Sequence, residues 1–369
     1  MVAFGNIHTI PNTPLLFSAA TAKGFGGGAK RDRILIQLAH TYEYIISIEN
    51  LLEAWREFVS GKRSRKDVQE FERNLMGNVI SLHQDLAARL YRHAPYEAFN
   101  ISDPKPRNIH KASVRDRLLH HVLSRTLQPF FERTFIADSY SCRVGKGTHK
   151  AIERFRVFAY RVSKNHTKTV WVLNGDIRKF FASVDQTVLV KIITRYISNK
   201  DVIGLLSYVV GSFYSTREGV GLPLGNLTSQ LLVNVYMNEF DQFVKHRLKA
   251  KYYIRYADDF VIFSQDKKWL LDILPKIKGF LWNELHLELH PNKVSLRTLA
   301  SGVDFLGWVH FPDHRVLRTT TKKRMLRRVQ EKNGKPETVQ SYLGLLSHGN
   351  AEKLKWEVAE MAYILSNEA

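Results

Sequence analysis

The sequence predicts an α+β fold, and three observations point to it. Tyr252-Tyr253-Ile254 and Phe260-Val261-Ile262-Phe263 are short apolar runs on either side of Tyr256-Ala257-Asp258-Asp259. That is the pattern of a β-hairpin whose turn carries two adjacent carboxylates. Trp171-Val172-Leu173-Asn174-Gly175-Asp176 reads as a strand ending in a third carboxylate. Elsewhere apolar residues recur at helical spacing, as at Ile34, Leu35, Leu38, Tyr42, Ile45 and Ile46.

Residues 1–30 contain Gly24, Gly26, Gly27 and Gly28, few charges and no long apolar stretch. They are expected to be a loose tail rather than a signal peptide. Arg31 to Val59 is expected to be a helix or helical pair. Gly61-Lys62-Arg63-Ser64-Arg65-Lys66 is a basic break, and Asp67 to Leu90 resumes helix, so residues 31–90 form an N-terminal helical region. Phe99-Asn100-Ile101 and Asn108-Ile109-His110 flank the turn-forming Asp103-Pro104-Lys105-Pro106, which predicts a second hairpin. Ser113 has the character of an N-cap for a helix through Leu127. Gly145-Lys146-Gly147-Thr148 lacks the full phosphate-loop pattern, which excludes an ATPase of that type.

A long helix is expected over Asn226 to Lys249 and another over Lys267 to Leu285, with further strands from Gly302-Val303-Asp304-Phe305-Leu306-Gly307-Trp308. After Arg318 the chain turns helical and basic. Arg315 to Lys335 holds nine Lys or Arg and one acid, Glu331. Lys322, Lys323, Arg327 and Arg328 are the candidate phosphate contacts there. Residues 319–369 leave room for a small helical unit, with no ribonuclease H or endonuclease-sized region expected after it.

The 369 residues suffice for a large core and more than one subdomain. A net charge of +20 and a pI near 9.9 imply a polyanionic partner. The single cysteine, Cys142, excludes a disulfide framework or Cys-rich zinc site and suits a reducing interior. No apolar run approaches the roughly 18 residues of a membrane span.

Two adjacent carboxylates repel each other and cost stability unless a cation joins them. Asp258 and Asp259 are therefore candidate ligands, and an oxygen-only set suits Mg²⁺. Asp176 supplies a carboxylate from a separate element. Two-metal phosphoryl transfer needs such a set to bridge ions roughly 3.5–4 Å apart.

Asp176-Ile177-Arg178-Lys179-Phe180-Phe181, then Gly221-Leu222-Pro223-Leu224-Gly225-Asn226-Leu227-Thr228-Ser229-Gln230, then Tyr256-Ala257-Asp258-Asp259 resemble the palm motifs of reverse transcriptases in order and rough spacing. The resemblance runs from about Tyr91 to about Leu346. It implies a right-hand polymerase: fingers over 91–168, a palm with interleaved fingers elements over 169–318 as an antiparallel sheet backed by helices, and a helical thumb over 319–369. It further implies RNA-directed DNA polymerase activity with two Mg²⁺ ions, Mn²⁺ being the substitute. Asp176, Asp258, Asp259 and the backbone carbonyl of Ile177 would hold them. Lys105 and Arg107 match a phosphate-gripping pair, with Arg115 beyond them. Arg143 would touch nucleic acid, Lys293 would protonate the leaving pyrophosphate, and Phe305-Leu306-Gly307-Trp308 looks like a primer grip. Phe181 would lie against the sugar's 2′ carbon and exclude ribonucleotides, leaving Phe180 to the core. Gly225 and Gln230 would line the nucleotide and template path.

Leu224 departs from many relatives, which carry Gln there, and Gln230 stands where they carry Pro. Leu-Gly-Asn-Leu-Thr-Ser-Gln resembles instead the enzymes of diversity-generating retroelements. Those copy a template RNA with errors at adenines and work with a small basic accessory protein. The partners expected are thus template RNA, a primer or cDNA, dNTPs and such an accessory protein, with no membrane, in a prokaryotic cytoplasm. A group II intron-like maturase and an antiphage-defence reverse transcriptase share parts of the same pattern.

Overall fold

The structure, a computed structural model, describes residues 17–21, 34–102 and 106–367. Along the chain come strands β1 (Phe17–Thr21) and β2 (Ile34–Leu38), and helices α1 (Tyr42–Ile46), α2 (Ile48–Phe58), α3 (Lys66–Arg73) and α4 (Leu75–Ala87). Then follow β3 (Glu97–Ile101), β4 (Arg107–Lys111), α5 (Val114–Glu132), β5 (Ser139–Tyr140), α6 (Thr148–Val162) and β6 (Trp171–Asp176). Next are α7 (Phe180–Ser183), α8 (Gln186–Ile193), α9 (Lys200–Gly211) and α10 (Leu227–Gln242). The last part carries β7 (Tyr253–Tyr256), β8 (Asp259–Ser264), α11 (Lys267–Leu285), β9 (Ser295–Thr298), β10 (Val303–Phe305), β11 (Trp308–His310), β12 (Arg315–Leu317), α12 (Thr319–Glu331), α13 (Pro336–Leu346) and α14 (Glu352–Asn367). The fold is α+β, with antiparallel strand pairs backed by helices.

Two compact units are formed. One comprises the described part of Met1–Lys146 with Ile177–Lys249 and Ile277–Leu289. Its centre is α5, which packs on α2 and α10. Ser113 caps α5 as expected, its hydroxyl accepting from the Asp116 N–H at 3.1 Å. The expected helix from Arg31 is corrected: Ile34–Leu38 is a strand paired antiparallel with Phe17–Thr21. Helix begins only after Thr41, whose side chain accepts from the Tyr44 N–H, and restarts after Ser47, which caps α2 through Asn50. Cap residues overrode the apolar periodicity here, because their hydroxyls meet the first free N–H groups. The helix expected from Asp67 to Leu90 is likewise interrupted at Asn74. The tail expected over residues 1–30 lies outside the described residues, apart from β1. The β3–β4 hairpin pairs Ile101 with Arg107, as the sequence indicated.

The other unit comprises Gly147–Asp176, Ala250–Lys276 and His290–Ala369. Its sheet runs β7-β8-β6-β9, every pair antiparallel. Helix α6 packs on β7 and β8 through Phe155 and Phe158, with Phe155 4.7 Å from Phe263 between ring centroids. A small sheet, β10-β11-β12, leads into α12–α14. These three helices enclose their own apolar cluster of Met325, Val329, Leu346 and Val358.

Candidate active site

Sheet register brings the acids together. Strands β6 and β8 pair Asp176 with Asp259, and the β7–β8 hairpin pairs Tyr256 with Asp259. Directly opposed residues project from the same face, so Asp176, Asp259 and Tyr256 share one. Ala257 and Asp258 form the hairpin's two-residue turn, with Ala257 left-handed at φ +53°. On the opposite face lie Phe260 and Arg255, both fully buried. Gly175 opposes Phe260, and a Cβ on it would come within 2.4 Å of the Phe260 ring. A glycine immediately before Asp176 thus lets the ring fill the space under the acids.

Burial, the Asp258 charge and a hydrogen bond with Asp176 together raise the Asp259 carboxyl well above the usual carboxylate range, against the pull of Lys293. Clustered acids behave this way when a proton takes a cation's part. Lys293 approaches from the segment after α11: its ammonium lies 2.8 Å from both oxygens of Asp176. That placement has a backbone cause. The His290 N–H donates to the Asp176 carbonyl at 2.8 Å, and the Lys293 N–H closes a turn on the His290 carbonyl at 3.0 Å. Nearby, the Tyr256 hydroxyl meets the Thr148 hydroxyl at 2.9 Å.

The donor set fits a hard divalent cation: oxygen ligands only, from two paired strands and the turn between β7 and β8. The fit is one of chemistry rather than of an already closed shell. Among the described residues no three His, Cys, Asp or Glu side chains stand as a ready ligand group for one ion.

The other predicted site residues are placed as follows. Lys105 lies outside the described residues. Arg107 opens β4 and is exposed. Arg115 is held by Asp85 at 2.5 Å and lies over the Tyr91 ring. Arg143 is 7% exposed, and its nitrogens are taken up by Glu132, the Ile136 carbonyl and Ser139. A guanidinium committed in this way has its donors inside the protein, which corrects the expected nucleic-acid contact. Phe180 is buried and Phe181 half-buried.

Gly225 has φ +113°, and a Cβ there would reach Ile109 at 3.0 Å. The Leu224 carbonyl accepts from the His110 N–H at 3.0 Å, so this turn lies directly on β4. Gln230 is half-buried in the first turn of α10, and the buried Ile177 bridges to Leu289.

Phe305 and Trp308 are each 2% exposed, which corrects the reading that all four residues of that segment meet nucleic acid. They flank the two-residue turn Leu306-Gly307, the part of the hairpin open to a ligand. On α12, Lys323 is exposed, while Lys322 pairs with Glu357 at 2.9 Å, and Arg327 and Arg328 both pair with Glu331, at 3.4 and 3.1 Å.

Sequence reasoning missed Gly175, Arg255 and the His290 turn. The signal for Arg255 was a charge inside an apolar strand, Tyr253-Ile254-Arg255-Tyr256. No helix among the described residues is long and apolar enough to cross a membrane.

Residues 102–310 match the family described as reverse transcriptase (RNA-dependent DNA polymerase). The chain is similar to the protein YkfC of Escherichia coli, 27% identical over 282 residues, which cover 65% of this chain and 71% of that one. It is also similar to the group II intron-encoded protein LtrA of Lactococcus lactis, 23% identical over 279 residues, which cover 57% of this chain and 44% of the relative. The match thus spans under half of that intron-encoded protein. Among solved structures, an apo telomerase from Candida tropicalis truncated from its C-terminal domain aligns with a TM-score of 0.46 and 11% identity, over 66% of this chain and 60% of that one.

Proposed function

We propose, from the premise that this chain belongs to the reverse transcriptase family, that it is an RNA-directed DNA polymerase extending a 3′-hydroxyl on an RNA template. The observation that carries the reading is the register pairing of Asp176 with Asp259, beside Asp258 in the hairpin turn. Asp176, Asp258 and Asp259 would hold divalent Mg²⁺, with the Ile177 carbonyl as a further ligand. When bound, the metal supplies Lewis-acid stabilisation of the charge on attacking and leaving oxygens. Lys293, 2.8 Å from Asp176 and part-exposed, would give a proton to the leaving pyrophosphate. Arg107 and Lys105 would meet the triphosphate, and Phe181 the sugar. Leu306, Gly307, Lys323 and Arg327 would contact primer and template.

The finer reading is an error-prone enzyme of a diversity-generating retroelement, working with a small basic accessory protein. The Leu224-to-Gln230 segment supports it. The likeness to a group II intron-encoded protein supports a maturase instead.

Asp258→Asn tests the main reading. It should abolish primer extension on RNA while leaving RNA binding intact, and wild-type extension by the variant would sink it. Sequencing cDNA from the wild type and from Leu224→Gln separates the finer readings. Frequent substitutions at template adenines, fewer in the variant, support the retroelement. Uniformly low errors by active wild-type enzyme favour a maturase or an antiphage-defence role.

A further inference from the structure

Arg255 has no exposed surface, yet it occupies the strand that leads into the acidic turn. Desolvating a guanidinium costs several kcal/mol unless hydrogen bonds offset it. Its register partner is Phe260, which places it on the sheet face opposite Asp176 and Asp259. From beneath, its Nη1 donates to the carbonyl of Ala257 at 2.9 Å. Ala257 is the first turn residue, left-handed at φ +53°, and Asp258 is the second. An L-residue with a side chain is disfavoured in that conformation, so the turn needs an external hold to stay single-valued. Whatever fixes the Ala257 peptide also fixes the direction of the Asp258 carboxylate that follows it.

We propose that Arg255 is a positioning residue for the candidate metal centre. By holding the Ala257 carbonyl it keeps the left-handed turn in place, aims Asp258 beside Asp259, and so sets the affinity for divalent cation. This role rests on the reading that Asp176, Asp258 and Asp259 bind that cation. In this role Arg255 would act through the Ala257 carbonyl rather than by contact with substrate or metal. It acts as partners beyond the ligand shell of a metal site do, where loss of one typically costs about 10- to 100-fold in metal affinity.

The test measures Mn²⁺ binding by electron paramagnetic resonance titration, alongside RNA binding, for the wild type, Arg255→Met and Arg255→Lys. Each Arg255 variant is also made with Ala257→Gly. Arg255→Met should weaken Mn²⁺ binding about 10- to 100-fold with RNA affinity unchanged. Adding Ala257→Gly should recover part of that loss, because glycine takes the left-handed conformation without a hold. A residue that merely filled the core would not be rescued at the turn. Folded Arg255→Met with wild-type Mn²⁺ affinity, or no recovery with Ala257→Gly, overturns the proposal. Should Arg255→Met fail to fold, Arg255→Lys decides: it keeps the charge but loses the fork, and wild-type Mn²⁺ affinity in it overturns the proposal. A wild-type protein that binds no Mn²⁺ overturns the metal reading itself, and the role of Arg255 with it.

Discussion

The ammonium of Lys293 straddles the carboxylate of Asp176, 2.8 Å from each of its oxygens. Asp176 is 8% exposed, so it would be a nearly buried charge without this partner. The Lys293 side chain is 45% exposed, so water screens the pair and the ammonium can turn away without unfolding anything. In the structure Lys293 is thus the counter-ion of Asp176, and its proposed role as proton donor is separable by experiment.

Lys293→Met should separate these roles. The stability loss should be about 1–3 kcal/mol, because the nearly buried Asp176 is left without its partner. Loss of a proton donor should slow single-nucleotide incorporation by roughly 10²-fold. Thermal melting and rapid-quench kinetics measure the two quantities. An unslowed incorporation step would leave Lys293 as a counter-ion alone.

Phe180 and Phe181 are adjacent but differently placed. Phe180→Ala should destabilise the fold by about 3–5 kcal/mol through the cavity it leaves. Phe181→Ala should instead raise ribonucleotide use relative to deoxynucleotide use, since discrimination is a difference in transition-state binding. Both nucleotide rates falling with a fixed ratio would make Phe181 a packing residue.

Salt dependence should discriminate between cations on one helix. Lys323 is exposed, whereas Lys322 is paired with Glu357, and Arg327 and Arg328 both with Glu331. Replacing Lys323 by Gln should flatten the log–log salt slope of single-stranded RNA binding by about 0.7, the value for one phosphate. The same change at Lys322 should have a smaller effect. Identical slopes for the two variants would refute the distinction.

Acid should destabilise the protein through two buried histidines. Burial lowers His120 to about 3 and His310 to about 4, from an ordinary 6.5. Both are neutral in the fold. Below pH 6.5 the unfolded chain takes up protons that the folded chain refuses, so stability is lost as pH falls from 6.5 towards 4 and 3. Each site should cost up to about 1.4 kcal/mol per pH unit in that window. Urea unfolding at several pH values should show it, and His310→Gln should make the pH slope shallower. An unaltered slope in that variant would remove His310 from the account.

The sequence by itself determined the fold class and pointed to a candidate chemistry: three acids of oxygen-donor type, in order with a glycine-bearing turn between them, on an α+β scaffold. It determined local events too, such as the start of α5 at Ser113, because a cap is satisfied by residues a few positions away. Only the tertiary structure decided which cations are free. Arg143 and Arg115 look alike in sequence to Arg107, yet Glu132 and Asp85 engage them and Arg107 stays exposed. It also decided which strand face each residue takes. The β6–β8 register sets Asp176 against Asp259 and sends Arg255 beneath, to hold Ala257. Ion pairing and register depend on neighbours distant in the chain, and sheet parity turns a one-residue shift into a change of face.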